Sequence, residues 1–307
     1  MIKCAYFLPA NGLGNSEIVK LFPDWTEDKI FKKTGIKFRH IAEEKEDALC
    51  LAEAACRELF EGNNIDPAQV DFVLLCTQSS RYRLPSTACL LQRTLGIPTH
   101  AGALDYNLGC SGFVYGLALA KGLVTGHVAK NVLLVTAETY TKYIGPKDRS
   151  TLTIFGDGAA AMLIDVETVN GIGEFVLGTD GSGAEKLILR AGEHLFMDGP
   201  EIFNFTLDVV PKTIDEVCAK NGISRDEVDL FVFHQANKFM LDTIRKVNGL
   251  PRDKFYVNLE DTGNTVSSTI PIALKRAEAE GKLRIGMKVM IMGFGVGLSW
   301  GGTILQY

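Results

Sequence analysis

One cysteine in this sequence stands where a nucleophile could be made. Cys110, in DYNLGCSGFVYGL, lies between Gly109 and Ser111, at the end of a polar turn and the head of a nearly uncharged run of Gly, Ala, Leu and Val. A thiol at a helix N-terminus meets unpaired N–H groups and the positive end of the dipole, which favour the thiolate. A free cysteine is equally at home as a small buried hydrophobe. Two other segments offer groups that could serve it. His234 closes LFVFH and opens HQANKFMLDTI. A lone histidine at a strand end is often structural, but a strand-to-helix corner is also where α/β proteins place ligand groups. Asn264, in EDTGNTVSSTIPIALKRA, sits in a Gly-Asn turn before a helix led by Ser, Thr and Pro, and such turns are commonly just turns. The glycine-dense GFGVGLSWGG, residues 293–302, lies between two strands. It lacks the Rossmann spacing into a helix and reads as a tight turn offering backbone N–H groups. Taken singly, each residue keeps both a catalytic and a structural reading.

The elements that must position these residues alternate in type. Strand-like runs are VDFVLLC (70–76), VLLVTA (132–137), AAAMLI (159–164), LFVFH (230–234), KVMIMG (288–293) and GTILQY (302–307). Helical patterns lie near 47–61, 86–96, 111–129, 206–221, 237–248 and 269–281. This alternation predicts an α/β fold whose strands are covered on both faces. The order of elements repeats weakly, dividing the chain into an N-terminal half, 1–166, with Cys110, and a C-terminal half, 167–307, with His234 and Asn264. The glycine-containing stretch 171–205 reads as an insertion or link between them. Gly112, Gly116, Gly122 and Gly126 in the helix behind Cys110 each cost about 1 kcal/mol of propensity against alanine. The expectation is a central helix against which other backbone packs closely, its N-terminus directed into the interior.

The bulk properties exclude several classes. A chain of 307 residues, 46% hydrophobic and 22% charged, is that of a globular protein with one large or two ordinary domains. A net charge of −5 gives no reason to expect nucleic acid as a partner. The opening MIKCAYFLPANG is too short an apolar run for a signal peptide, and no segment is long enough to span a membrane. Seven cysteines form no C-x-x-C pair, so reduced thiols in the cytoplasm are expected. Cys50, Cys56 and Cys76 fall in core-like patterns.

Taken together, KKTGIKFRHIA (32–42), LPSTACLLQRTLGI (84–97), DYNLGCSGFVYGL (105–117), DRSTLTIFGDGAAAML (148–163), HQAN (234–237), GNTVSST (263–269) and GFGVGLSWGG make the whole chain resemble ketoacyl-acyl-carrier-protein synthase III of the thiolase superfamily. The resemblance implies a five-layer αβαβα fold from two similar halves, usually a homodimer, with Cys110, His234 and Asn264 as catalytic triad. It implies that Cys110 takes an acyl group from acyl-CoA or an acyl carrier, with the oxyanion held by the backbone N–H groups of Cys110 and Val296. His234 and Asn264 then donate to the thioester oxygen while a malonyl group on a carrier or CoA loses CO₂, assisted by Phe294. This is a decarboxylative Claisen condensation in fatty acid or specialised acyl-chain biosynthesis, with no cofactor beyond these substrates and no metal. Arg149, Lys33, Ala236 and Asn237 match substrate-binding positions.

The departures from the family pattern are specific. The tryptophan and arginine commonly found just before T-G-I are Lys29 and Lys33 here, with Trp25 upstream. The arginine two residues after HQAN is Phe239, and Val296 replaces a glycine. Tyr82 and Leu84 fall where the family lines the far end of its acyl tunnel. Lys238, Arg245 and Lys246 lie on one side of a helix that could meet an acidic carrier protein. The other readings are acyl transfer to an oxygen or nitrogen acceptor, and a non-catalytic partner subunit. The presence of Cys110 argues against the second. A hydroxymethylglutaryl-CoA synthase would need a Glu that CTQSSRYRLPS lacks, and a nicotinamide enzyme would need a glycine fingerprint that is absent.

Overall fold

The computed structural model describes residues 3–307. Its first sheet contains β1 (Lys3–Phe7), β2 (Phe72–Cys76), β3 (Gly102–Tyr106), β4 (Val132–Glu138) and β5 (Gly158–Ile164), in the spatial order β1-β5-β4-β2-β3. β2 runs parallel to β3 and β4, while β4–β5 and β5–β1 are antiparallel. The second sheet contains β6 (Val176–Thr179), β7 (Leu230–Phe233), β8 (Lys288–Gly295) and β9 (Ser299–Gln306), in the order β7-β8-β9-β6. β7 is parallel to β8, and β8–β9 and β9–β6 are antiparallel. A single parallel bridge from Phe231 to Phe255 occupies the place that β3 holds in the first sheet. Order and direction therefore repeat between the halves.

The helices repeat in the same way. α1 (Ala48–Asn63) and α2 (Thr87–Thr94) cover the outer face of the first sheet; α4 (Gly199–Lys220) covers that of the second, and α5 (Lys238–Val247) adds its buried Met240, Leu241 and Ile244 to the same core. Between the sheets lie α3 (Gly112–Thr125) and α6 (Thr269–Ala279), which pack against strands of both. The result is five layers, αβαβα. β4 and β5 are buried along their whole length, which is why they read as unbroken apolar runs instead of alternating ones.

α3 is central, as expected, but its glycines divide. A Cβ on Gly112 would stand 2.3 Å from Cys76 Sγ, and one on Gly116 2.1 Å from the Tyr106 hydroxyl; at Gly122 there is open space. Close packing thus explains the first two. Gly122 is exposed on the helix surface, and Gly126 is the C-cap.

Three strands, β1, β3 and β6, were not legible as strands, since KCAYF, GALDY and VLGT are short and mix glycine or polar residues into the run. β6 corrects the reading of 171–205 as a link: it is the edge of the second sheet. α4 also begins at Gly199 and not near 206, because Asp198 caps it by accepting from the Glu201 N–H at 3.1 Å. Cys56 and Cys76 are buried as expected, whereas Cys50 is only half-buried. No helix among the described residues is long and apolar enough to cross a membrane.

Candidate active site

Cys110 sits in the turn between β3 and α3, one residue before the helix cap at Ser111. The end of β8 passes directly over it. A Cβ on Gly293 would lie 2.7 Å from the Cys110 carbonyl oxygen, and one on Gly295 would lie 3.0 Å from Cys110 Sγ. Only glycine allows that approach. The Ser111 and Ser299 hydroxyls share a hydrogen bond of 2.7 Å, and the Ser299 hydroxyl also lies 2.7 Å from the Val296 carbonyl. This chain ties the head of α3 to the glycine loop, and the backbone N–H groups of Cys110 and Val296 lie close enough to the sulfur to favour its ionised form.

The electrostatics at the sulfur correct one expectation. Burial pushes the Cys110 thiol up to about 12, and the nearby Glu138 carboxyl pushes the same way, against the two N–H groups. The resting side chain is a thiol. A helix end alone does not ionise it, because removing a thiolate from water costs more than a partial dipole charge returns. Glu138 is itself fully buried. It accepts from the Gln78 N–H (2.9 Å) and the Ser79 hydroxyl (2.6 Å), and burial raises it to about 8.

His234 lies immediately beyond β7, its backbone N–H donating to the Met292 carbonyl at 2.8 Å. Burial lowers its pKa to about 3, so the imidazole is neutral. The ring meets Phe294 edge-on at 5.7 Å between centroids. Asn264 is fixed from both sides of its peptide: its N–H bonds the Ile154 carbonyl (2.9 Å), and its carbonyl accepts from Gly156 (3.0 Å). Its side-chain Oδ1 accepts from the Val266 N–H at 2.8 Å, which leaves Nδ2 available. Val266 adopts φ +56°, a left-handed conformation unusual for a β-branched residue.

Cys110, His234, Asn264 and Phe294 line one cavity of about 90 Å³, together with Ala236 and Asn237. Asn237 Oδ1 is engaged as the cap of α5, accepting from the Met240 N–H at 2.9 Å. Arg149 and Lys33 do not line this cavity. They gather instead with Lys29 around the Trp25 ring, at 4.5 Å, 5.3 Å and 5.2 Å from its centroid. Trp25 is therefore not displaced from Arg149 in space, although a helix, Glu27–Thr34, separates it from T-G-I. Phe239 is exposed and stacks on Phe203 at 5.4 Å. Tyr82 and Leu84 lie on an exposed loop, Leu84 at 86%, and neither lines the cavity around Cys110 within this chain.

The sequence reading missed Leu187, Met197 and Ile202, which wall the same cavity. They come from the stretch 171–205, and nothing local marks them. Thr269, the last residue of GNTVSST, also contacts His234, and nothing in its local sequence marks it. Among the described residues no group of three or more His, Cys, Asp or Glu could hold a metal ion.

A duplicated αβαβα sandwich with a cysteine from one half facing a histidine and an asparagine from the other defines a thiolase-fold protein. Two family descriptions match the chain: 3-oxoacyl-[acyl-carrier-protein (ACP)] synthase III over residues 104–181, and the C-terminal part of the same family over 218–307. The beta-ketoacyl-[acyl-carrier-protein] synthase III of Caldanaerobacter subterraneus subsp. tengcongensis is 35% identical, covering 98% of this chain and 95% of its own length. A 3-oxoacyl-(acyl-carrier-protein) synthase III crystal structure is 48% identical with a TM-score of 0.97, covering 100% of this chain and 99% of its own. The priming beta-ketosynthase of the R1128 polyketide pathway is 31% identical with a TM-score of 0.92, covering 99% of this chain and 94% of its own. The chain belongs to the 3-oxoacyl-[acyl-carrier-protein] synthase III family.

Proposed function

We propose that this enzyme, a transferase, joins an acyl group carried on Cys110 to the two-carbon unit of a malonyl thioester. The observation that carries the reading is the convergence of a buried thiol, a neutral histidine and an oriented asparagine amide on one cavity, with two backbone N–H groups at the sulfur. Cys110 attacks the carbonyl carbon of an acyl-CoA or acyl-carrier. Its proton ends on the departing thiol, and the tetrahedral oxyanion is held by the N–H groups of Cys110 and Val296. A malonyl thioester then loses CO₂, and the electron pair left behind spreads onto its thioester oxygen. His234 and Asn264 donate hydrogen bonds to that oxygen. Being uncharged, they place no cation beside the carboxylate that would hold it back, and Phe294 leaves that carboxylate poorly solvated. The carbanion carbon attacks the acyl-cysteine, and Cys110 leaves and recovers a proton. Acyl thioester, malonyl thioester and one proton thus give the 3-oxoacyl thioester, free thiol and CO₂, in fatty acid or specialised acyl-chain synthesis.

The Trp25 cluster supports CoA as the donor carrier: an indole flanked by Arg149, Lys29 and Lys33 offers a stacking face and cations for phosphate. A homodimer is part of the same reading. β3 is an edge strand carrying the exposed Leu104, close to the loop of Tyr82 and Leu84, and pairing two such edges would cover apolar surface and unpaired backbone. The all-free cysteines suit the cytoplasm. Intact-mass spectrometry after exposure to a panel of acyl-CoAs tests the core of the reading. One acyl mass should appear on the native protein and none on Cys110→Ala, and equal labelling of both would refute it.

A further inference from the structure

His234 is enclosed, so which ring nitrogen bears hydrogen is decided by the protein and not by solvent. Nδ1 lies 2.7 Å from Thr269 Oγ1 and has no other hydrogen-bond partner among the described residues, which leaves Nε2 for the cavity. In a neutral imidazole the tautomer follows from the bond that the first nitrogen makes. If Nδ1 donates to Thr269, Nε2 is a bare lone pair. If Thr269 donates to Nδ1, Nε2 carries hydrogen.

The Thr269 hydroxyl has one hydrogen and two acceptors in reach, Nδ1 of His234 and the Val266 carbonyl oxygen at 3.1 Å. That carbonyl does not depend on the hydroxyl, because it already accepts the backbone N–H of Thr269 itself. Nδ1 has no second source of a hydrogen. Stabilising an enolate oxygen requires Nε2–H, since two lone pairs repel. We infer that Thr269 is a positioning residue: its hydroxyl donates to His234 Nδ1 and so commits the imidazole to the tautomer with hydrogen on Nε2. This rests on the condensing reading given above.

The same turn orients the second donor. Val266, held in its left-handed conformation, sends its N–H to Asn264 Oδ1 and turns its carbonyl to the head of α6, where Thr269 begins the helix. Asn264 Nδ2 and His234 Nε2 are thus set by one short segment, 264–269, on the C-terminal side of the cavity.

Nitrogen-15 NMR of the full-length protein labelled at histidine reads the tautomer directly, with His234 assigned by comparison with His234→Asn. Hydrogen on Nε2 in the wild type is the expected result, and hydrogen on Nδ1 overturns the inference. Kinetics give an independent measure in Thr269→Val, which keeps shape and loses the hydroxyl, and in Thr269→Ser, which keeps it. Thr269→Val should lower the rate of malonyl-thioester decarboxylation about tenfold, the scale of one hydrogen bond, while acyl loading of Cys110 stays within twofold. Thr269→Ser should restore decarboxylation. Equal loss in both half-reactions, or no rescue by serine, assigns Thr269 a merely structural part and refutes the proposal. A wild-type protein that decarboxylates no malonyl thioester would instead refute the condensing reading, and the NMR result would still decide the tautomer.

Discussion

Glu138→Gln should remove a pH dependence of stability that the wild-type fold carries. The Glu138 carboxyl is fully buried, and burial raises it from the ordinary 4.5 to about 8. Below about pH 4.5 the group is protonated in both folded and unfolded chains, and its contribution to stability is fully present. Between 4.5 and 8 the unfolded chain releases the proton and the folded chain keeps it, so stability falls as pH rises. At about 1.4 kcal/mol per pH unit this amounts to at most about 5 kcal/mol by pH 8. The amide keeps one acceptor for the Gln78 N–H and can donate to the Ser79 hydroxyl, a rearrangement costing about 1 kcal/mol. Urea unfolding at pH 4.5, 6 and 8 should therefore show curves that cross: the variant slightly weaker at pH 4.5 and several kcal/mol stronger at pH 8. Asp157, raised to about 6 by burial, adds a falling limb below that pH in both proteins, and its charge helps to raise Glu138 in the wild type. Above pH 8 the wild-type carboxylate also opposes ionisation of Cys110, so the variant's cysteine should alkylate with iodoacetamide at lower pH. Parallel stability curves for the two proteins would refute the reasoning.

Other outcomes follow from the same geometry. Gly116→Ala, whose methyl would meet the Tyr106 hydroxyl at 2.1 Å, should destabilise by about 2–3 kcal/mol. Gly122→Ala, with open space around it, should stabilise by up to about 1 kcal/mol, both measured by urea unfolding. His234→Ala and Asn264→Ala should still accept an acyl group by mass spectrometry, yet lose about 10²-fold or more in condensation; failure to load with decarboxylation intact would reverse the assignment. Of the three basic residues on α5, Arg245 is half-buried and donates to the Leu250 carbonyl at 3.2 Å, whereas Lys238 and Lys246 are exposed. Reversing both lysines to glutamate should raise the apparent KM for a carrier-bound substrate and not for a small thioester, with the difference fading as salt rises.

Much of this molecule was legible in one dimension. The fully buried strands announce themselves as apolar runs, and the helices by periodicity and caps. Cys110, His234 and Asn264 could be picked out because each sits at a junction between elements, flanked by glycine or by a motif with a fixed order along the chain. The short strands at the sheet edges were not legible. A four- or five-residue segment that mixes glycine or polar residues into its run becomes a strand only when a neighbour supplies the hydrogen bonds, as β9 does for β6. The same holds at finer scale within the site. That Trp25 meets Arg149, that Leu187 and Met197 wall the cavity, and that Gly116 is constrained while Gly122 is not are matters of which surfaces come together. The protonation of Cys110 is of this kind too. Residue type and a helix start pointed toward the thiolate, but the degree of burial decides, and burial is a property of all the elements packed around a group. The sequence carried the identity of the reacting groups because chemistry depends on residue type. Their ionisation, tautomer and walls were left to the tertiary structure because solvation and close contact are set by distant parts of the chain.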